Sequence, residues 1–407
     1  MKNHTYYRLV LKLSSPLAVG NGNNELSDHD CIRHNNGKPY IPASSIAGVF
    51  RHYFDGKKSL QDQIFGRLGS FDTHSSVIFY DAELSNESVF TIRDSVRLKD
   101  KVGQDGAKFD MEVVETGAEF LTFIEIDKEN ADKQPYIEEL ILALKNNILR
   151  FGAKTTRGYG MVEVSSVKKL EFDLDSTEGT EKWLEFNMFD TSAWKNAGEF
   201  KDEKNYSGAK NITLTLRQEG AVSIRVYTTD VKKENEKYAP DYKHMTLRNG
   251  KPVIPGTSWA GAFRERYEAF SGEEDAKKLF GFVDTDTKDT QRSRIIFSES
   301  VINNCVMKNI TRNSIDRFSA KTKDSALYTE KTCYNGITEL SIIVPDDMTD
   351  KEKKCLTAVI LDLHNGFLAV GGLTTVGHGL FSIEKIKVNG QDKTGCLSGN
   401  DLLEIWR

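Results

Sequence analysis

The chain has 407 residues, of which 38% are hydrophobic, and a formal net charge of −5 at pH 7. Its length and composition are typical of a soluble protein with two domains of ordinary size. It contains no apolar run of about 18 residues and no charged-then-apolar leader, so we expect neither a membrane partner nor secretion. The net charge argues mildly against nucleic acid, although contact with RNA along one groove requires only local basicity.

The five cysteines are odd in number and contain no Cys-x-x-Cys pair. This spacing speaks against a structural zinc site and against a disulfide framework. We therefore expect a cytoplasmic location, where thiols stay reduced.

The first half of the chain alternates between predicted strands and helices. Residues 9–13 alternate in polarity and predict a strand. Apolar side chains then recur on one helical face, with Ser44 or Ser45 placed as the N-cap. They are Ile46, Val49, Phe50, Tyr53 and Phe54. Strands at 77–79 and 120–126, a helix at 137–149, a glycine-rich turn and a final strand complete this half.

The second half repeats that order. Residues 212–217 predict a strand, and a helix follows that Thr257 or Ser258 would cap. Strands at 295–297 and 338–344, a helix at 352–363 and a closing strand come next. The order βαββαβ, with a long insertion in each half, predicts an α+β fold of two tandem ferredoxin-like, RRM-like domains.

We place the first domain at residues 1–170, the second at 208–407, and an acidic linker between them at 171–207. From residue 171 to 204 the chain has ten acidic and four basic residues. The same stretch contains Trp183, Phe186, Phe189 and Trp194. These aromatic side chains indicate that the linker packs against another surface.

Specific sequence segments also recur in the two halves. The segment PYIPASSIAGVFR at 39–51 returns as PVIPGTSWAGAFR at 252–264, an offset of 213 residues. Shorter matches follow in the same order: Phe65-Gly66 and Phe280-Gly281, Arg93 and Arg312, Glu112 and Glu330, and RGYG at 157–160 with VGHG at 376–379. A period of this length is that of a domain, so the chain is a tandem duplication and any site should occur twice.

The proline-rich segments and the closing RGYG resemble the signature of the RAMP superfamily. Residues 93–96 and 107–114 are similar to the thumb region of backbone subunits in type III CRISPR effectors, and residues 312–318 and 326–330 are another form of that region. The resemblance covers nearly all of both halves. It implies two RAMP domains with thumb insertions, fused as in a type III-D-like subunit, although type III-B complexes also contain a paired-unit subunit.

The resemblance further implies partners and a role in antiviral defence. The chain would bind CRISPR guide RNA, hold complementary target RNA, and assemble with other type III effector subunits. In the family, a flexible loop before the proline-rich segment carries an aspartate that cuts the target. Asp28 fits that loop in the first half, and Asp241 lies at the same 213-residue offset in the second.

The resemblance therefore assigns Asp28 and Asp241 as catalytic and metal-holding residues. Such a carboxylate could hold Mg²⁺ or another divalent cation, or orient the ribose 2′-hydroxyl for in-line attack. Asp30 and Asp230 are the alternatives for the two sites, and either aspartate could instead be an ordinary solvated loop residue. His29 and His244 could be proposed as general bases, but the family does not require one, and we do not expect that role.

Three further groups of residues are candidates for binding RNA. The helix starts offer hydroxyls and N–H groups for phosphates, with an arginine two turns later: these are Ser44, Ser45 and Arg51, and Thr257, Ser258 and Arg264. The closing loops at 152–158 and 371–377 contribute Lys154, Thr155, Arg157 and Gly158, and Thr374, Thr375 and the adjacent His378. The thumbs contribute Arg93, Arg97, Phe109, Arg312 and Arg317, which a salt-bridge cluster would explain equally well.

Other functions fit parts of this pattern. The main alternative is a non-catalytic RNA-binding scaffold of the same complex, with both aspartates silent. A guide-processing endoribonuclease would need a catalytic His or Tyr, and we expect the one helix candidate, His52, to serve in packing. A duplicated small-molecule domain is disfavoured by the basic loops and the paired thumbs.

Overall fold

The computed structural model describes residues 3–22, 27–67, 74–99, 102–200, 209–226, 240–247, 249–284, 287, 289–324, 326–397 and 399–406, and the side chains of these except at 94–99, 102–108 and 399–400. The chain divides into two compact units. The first comprises Met1–Thr155 and Tyr159–Ser207, and the second comprises Thr156–Gly158 and Gly208–Arg407.

The first unit is built on an antiparallel sheet with helices packed against it. Its strands are β1 (His4–Leu13), β2 (Tyr40–Ile41), β3 (Ile78–Phe79), β4 (Ala82–Leu84), β5 (Phe90–Lys99), β6 (Val102–Val114), β7 (Glu119–Ile126), β8 (Val162–Phe172) and β9 (Gly198–Glu199). Its helices are α1 (Ala43–Tyr53), α2 (Lys58–Phe65), α3 (Gln134–Lys145) and α4 (Thr177–Glu185). The main sheet has the order β2-β4-β7-β1-β8-β9, with β3 also paired to β7.

Strand β1 is central because it pairs with both β7 and β8. Its odd-numbered apolar side chains, Tyr7 to Leu13, are buried in the main core with helices α1 and α3. Its opposite face is buried as well. Tyr6 packs there with Phe123, Phe172 and Trp194, the last from the acidic stretch after β8. This stretch therefore covers the second face of the first sheet.

The second unit repeats the sheet. Its strands are β10 (Ala209–Glu219), β11 (Ala221–Val222), β12 (Arg225–Val226), β13 (Tyr242–His244), β14 (Val253–Ile254), β15 (Phe282–Val283), β16 (Thr290–Gln291), β17 (Ile296–Phe297), β18 (Ser300–Asn303), β19 (Val306–Arg312), β20 (Tyr328–Tyr334), β21 (Ile337–Pro345), β22 (Leu380–Val388) and β23 (Gln391–Asp392). Its helices are α5 (Gly256–Ser271), α6 (Glu273–Phe280) and α7 (Asp350–His364). The main sheet runs β14-β18-β21-β10-β22-β23.

The thumbs leave the main sheets as paired strands. In the first unit, β5 and β6 form a two-stranded sheet, and in the second β19 pairs with β20. Strand β20 also pairs with β11 and β13, so the second thumb belongs to a small sheet that includes the loop before α5. The predicted α+β architecture of two tandem ferredoxin-like domains, each with an inserted pair of strands, is confirmed.

The helix starts differ from the sequence prediction. Helix α1 begins at Ala43 and α5 at Gly256, with Pro42 and Pro255 as N-caps and no side-chain cap bond. The prediction that Ser44 or Ser45, and Thr257 or Ser258, cap these helices was therefore wrong. The prolines hold the extended backbone that ends just before each helix, which moves the hydroxyl residues into the first turn. None of the helices among the described residues combines the length and apolarity needed to cross a membrane.

Candidate nucleic-acid interface

Asp28 is exposed and is bonded to the second strand of the first thumb. Its backbone N–H donates to Asp110 Oδ1 at 2.8 Å, and its own Oδ2 accepts from the Asp110 N–H at 2.9 Å. These two reciprocal bonds fix the carboxylate of Asp28 at the base of the thumb. They also place a second carboxylate, that of Asp110, beside it.

Below Asp28 a buried glutamate ties the loop to the thumb. Glu112 Oε2 accepts from the Cys31 N–H at 3.0 Å, and Glu112 Oε1 is bonded to the guanidinium of Arg33. That guanidinium also lies 3.6 Å from the centre of the Phe90 ring. Glu112 thus neutralises Arg33 and anchors the part of the loop that follows Asp28.

The second unit has the same plan with different partners. Asp241 is exposed, its N–H donates to Thr329 O at 2.7 Å, and its Oδ2 accepts from the Thr329 N–H at 2.8 Å. Glu330 is fully buried and pairs with Arg312 at 3.1 Å and Arg225 at 3.5 Å. Glu112 and Glu330 thus lie under equivalent aspartates and anchor the two loops. Their recurrence in the two halves is the sequence signal for this role, because a glutamate by itself would not indicate it.

The alternative acids and bases are less suitably placed. Asp30 is buried, and its Oδ1 accepts from both the N–H and the hydroxyl of Ser27 at 2.9 Å. Asp230 lies outside the described residues. His29 is exposed beside Asp28, whereas His244 is buried and burial lowers its pKa to about 4.

The prediction that His52 serves in packing was wrong. His52 is exposed on α1, and its Nδ1 is paired with Asp55 one turn later. An exposed imidazole held by a neighbouring carboxylate contributes no apolar contact to the core.

The residues can hold a divalent cation only together with an external ligand. No group of three or more His, Cys, Asp or Glu side chains with metal-site geometry occurs among the described residues. Mg²⁺, however, is often bound by one or two carboxylates together with substrate phosphates. An aspartate that accepts one N–H keeps lone pairs for such an ion. The exposed Asp28 and Asp241 fit that mode of binding.

The hydroxyls at the helix starts are accessible, but a carboxylate competes with phosphate in the first unit. Ser44 and Thr257 are exposed, and Ser45 and Ser258 are half-buried. The N–H of Ala43, the first residue of α1, donates to Asp81 Oδ1 at 2.6 Å. Asp81 therefore places a negative charge at the position where a phosphate was predicted.

The repeated helical arginines have a structural contact in both units. Arg51 donates to Gly66 O at 2.7 Å and to Asp62 at 3.0 Å. Arg264 donates to Gly281 O at 3.0 Å. Both arginines thus hold the Phe-Gly turn that ends the following short helix, α2 or α6. This structural contact is enough to explain why the arginine recurs in both units, so its recurrence is no evidence for RNA binding.

The two closing loops have the same backbone. In the first, Phe151 N donates to Gly160 O at 3.0 Å and Ala153 N to Ala18 O at 2.7 Å; in the second, Val370 N donates to Gly379 O at 2.9 Å and Gly372 N to Ser223 O at 2.8 Å. A Cβ on Gly160 would lie 1.8 Å from Phe151 O, and one on Gly379 would lie 2.1 Å from Val370 O. Only glycine fits these positions.

The side chains on the first closing loop are basic. Lys154 Nζ lies 3.7 Å from the centre of the Phe109 ring, so the structure brings two of the predicted RNA-binding residues together. Arg157 is exposed, and Thr155 and Gly158 are buried. Lys154 thus lies against an aromatic ring of the first thumb, and Arg157 is an exposed cation of the loop.

The second closing loop is different. Thr374 and Thr375 lie in its short 3-10 turn, with Thr375 exposed. His378 is buried, and its Nε2 accepts from Arg312 Nη2 at 2.8 Å. Burial, and then the charge of Arg312, lower the pKa of His378. The ring is therefore neutral at pH 7 and joins the loop to the second thumb.

Two of the five predicted thumb residues are held within their units. Arg93 is buried and donates to Glu115 at 3.2 Å, and Arg312 is shared between Glu330 and His378. The side chain of Arg97 lies outside the described ones. Arg317 is exposed next to Phe318, whose side chain is 97% exposed at the tip of the second thumb. This extreme exposure, which the sequence did not reveal, distinguishes Phe318 from the other aromatics.

Comparison with known proteins gives a family and a distant structural likeness. The model of the RAMP superfamily matches residues 10–163 and 221–382, more than half of the chain. No curated protein sequence matches. Among solved structures, the chain is similar to one in the cryo-EM structure of the type III-B Cmr-beta bound to cognate target RNA, with 17% identity and a TM-score of 0.33. That alignment covers 44% of this chain and 61% of the other, less than two thirds of its length.

Proposed function

Because the chain belongs to the RAMP superfamily, we propose that it is an RNA-binding backbone subunit of a type III CRISPR effector ribonucleoprotein in the cytoplasm. Its partners would be the CRISPR guide RNA, a complementary target RNA and the other effector subunits. We further propose that Asp28 and Asp241 cut the paired target.

The observation that carries this proposal is the repeated arrangement at the base of each thumb. In both units an exposed aspartate accepts an N–H from the second thumb strand at 2.8–2.9 Å, above a buried glutamate that an arginine neutralises. A structural aspartate would need neither the exposure nor the repetition. Fixed carboxylates at equivalent places in two fused units favour two equivalent chemical sites.

The chemistry would require little from the protein beyond positioning. A thumb that distorts the target strand would align a ribose 2′-oxygen with the adjacent phosphorus, which supplies much of the catalysis. The 2′-oxygen would attack, and the 5′-oxygen would leave with a proton, giving a 2′,3′-cyclic phosphate and a 5′-hydroxyl. A divalent cation held by Asp28 or Asp241 and by phosphate oxygens would stabilise the developing charge.

Cleavage of a guide-complementary RNA by the reconstituted complex tests this directly. Asp28→Asn and Asp241→Asn keep an oxygen that can accept the thumb N–H, and each should remove one distinct product by slowing that cut about 100-fold or more. RNA affinity should stay unchanged. Asp392→Asn is a matched control, because Asp392 also accepts a backbone N–H on the surface of the second unit. An unaltered product pattern in both variants would exclude catalysis by these residues.

A second candidate function is a binding scaffold without catalysis. It is favoured by the lack of any three-ligand metal cluster among the described residues and by the use of one oxygen of each aspartate in a structural bond. In that case the same experiment would show intact RNA binding and no change of products. The cutting would then belong to another subunit.

A further inference from the structure

Two of the five cysteines are neighbours at the base of the second thumb. Cys305 lies in the turn that joins β18 to β19, and Cys333 lies near the end of β20, the strand that pairs with β19. Cys333 is fully buried in the core of the second unit, and the half-buried Cys305 packs against that core. Both cysteines carry free thiols.

The surroundings of Cys333 bring the two thiols into contact. Cys333 Sγ lies 3.6 Å from Gln218 Oε1, which also accepts the N–H of Gly336 at 3.2 Å. Gly336 in turn faces the other cysteine, because a Cβ built on it would lie 3.0 Å from Cys305 Cβ. Burial, and then the hydrogen-bonding contact with the Cys305 thiol, raise the pKa of Cys333.

The strand register agrees with this contact. Met307 on β19 lies directly opposite Cys333 on β20. Side chains alternate between the faces of a sheet, so Cys305, two residues before Met307, is a diagonal neighbour of Cys333 on the same face. Two thiols that already touch can be joined with little movement of the backbone. The bond would close a loop that contains the second thumb.

The first unit does without this pair. Glu115 takes the place of Cys333, since each lies three residues after the repeated glutamate, Glu112 or Glu330. Glu115 is paired with the buried Arg93 at 3.2 Å. The base of a thumb can therefore be built without thiols. Packing in the second unit would be met by any small apolar side chain, whereas two thiols in contact can also react.

We propose that Cys305 and Cys333 form a redox-modification site, at which a small-molecule disulfide converts the two thiols into one intramolecular disulfide. Intracellular disulfides are usually transient and redox-sensing, and this pair fits that use because it is not needed for the fold of the thumb base. The proposal is separate from RNA binding and from the aspartates.

The reaction proceeds by thiol–disulfide exchange. Cys305 reacts first, because its sulfur is the more accessible one. Its thiolate attacks the small disulfide, which gives a mixed disulfide and releases one small thiol. The Cys333 sulfur then attacks the Cys305 sulfur, and the Cys333 proton leaves with the second small thiol. The protein is oxidised by two electrons, and the small disulfide is reduced by the same number.

The disulfide would clamp the base of the second thumb. Strand β20 also carries Thr329, whose N–H is bonded to Asp241, and Glu330, which holds two arginines. A covalent link from Cys333 to the start of β19 would fix this strand at its lower end. The first unit lacks the pair, so oxidation would act on the second thumb alone.

Peptide mapping of the oxidised full-length protein tests the proposal. The protein is incubated in mixtures of reduced and oxidised glutathione, remaining thiols are blocked with a maleimide, and peptides are analysed without reduction. We expect a disulfide between the peptides of Cys305 and Cys333, formed within one chain and reversed by dithiothreitol. Oxidation should raise the melting temperature by about 5 °C, because the cross-link restricts the unfolded chain.

Two variants serve as test and control. Cys305→Ser should lose both the linked peptide and the gain in melting temperature. Cys355→Ser should behave as wild type, and it is matched because Cys355 is also half-buried against the same core. Because no RNA is present, the result does not depend on the proposed function.

Three results would overturn the proposal. The first is that both thiols stay free in oxidised glutathione, or that Cys305 only accumulates bound glutathione. The second is that the linked peptide forms to the same extent in urea-unfolded protein, since the fold would then not be what pairs the thiols. The third is an equal melting temperature of the linked and reduced proteins, which would exclude a clamp.

Discussion

The first and second closing loops share a backbone and differ in charge. Glycines and main-chain hydrogen bonds recur in both, whereas Arg150, Lys154 and Arg157 of the first loop correspond to Ala369, Leu373 and Val376 of the second. The turn accounts for the glycines and main-chain bonds that recur, whereas the charges found in one unit alone need another explanation. The glycines are therefore explained by the turn, and the cations of the first loop fit the RNA binding proposed above.

The aspartate loops differ in the opposite way, because here the functional candidate recurs and its supporting contacts change. Here the exposed carboxylate recurs, but its thumb partner changes from Asp110 to Thr329. The buried anchor also changes, since Glu112 holds one arginine and Glu330 holds two. The exposed carboxylate is thus what the two units share, as the proposed catalytic role requires.

The largest expected effect on stability concerns those anchors. Glu330→Gln would remove the fully buried charge that Arg225 and Arg312 share, and we expect a loss of about 3 kcal/mol in the free energy of unfolding. Glu112→Gln removes the partner of a single arginine, Arg33. It should lose roughly 1–2 kcal/mol. Urea denaturation of both variants measures the difference, and equal losses would show that the number of arginines does not matter.

A second prediction uses the position that holds Cys31 in one unit and His244 in the other. The folded-state pKa of His244 is about 4, below its ordinary value of 6.5, because burial disfavours the charged ring. Below pH 6.5 the unfolded chain binds a proton that the folded chain does not. Stability should therefore fall as the pH drops from 6.5, by about 3 kcal/mol near pH 4.

The variant His244→Cys places the residue of the first unit in the second. Burial raises the pKa of Cys31 to about 11, so the thiol is neutral throughout the acidic range. The variant should lose the part of the acid dependence that His244 causes, whatever its stability at pH 7. Identical pH profiles of unfolding for wild type and variant would contradict the assigned pKa shift.

The sequence predicted what depends on short-range periodicity. The alternating polarity of β1 and β10 and the apolar faces of α1 and α5 are local patterns. The structure confirms the strand and the helix in both units. Contacts between residues that are far apart in the sequence could not be predicted from it. Repetition alone could not show that Arg51 and Arg264 bond to the carbonyls of Gly66 and Gly281.

Single residues without a repeat were also missed. Arg150 has no counterpart in the second unit, and arginine is usually exposed, so nothing in the sequence marked it as buried. Phe318 could not be separated from the other thumb aromatics, because exposure depends on the turn that carries it. Asp316 Oδ1 accepts the N–H of Phe318 at 3.0 Å and that of Ser319 at 2.8 Å, which fixes this turn.

The smallest expected effect tests whether the second thumb contributes to RNA binding despite its uncharged closing loop. A phenylalanine that is 97% exposed gains nothing from the core, but it offers a full ring face on which a base can stack. Phe318→Ala should therefore weaken binding of single-stranded RNA by about 1–2 kcal/mol and leave the melting temperature unchanged. Phe189→Ala is the control, since Phe189 is also exposed, at 69%, but lies in the stretch after β8. If both variants bind RNA as wild type does, the tip of the second thumb does not stack on bases. The asymmetry between the units would then extend from the closing loops to the thumbs.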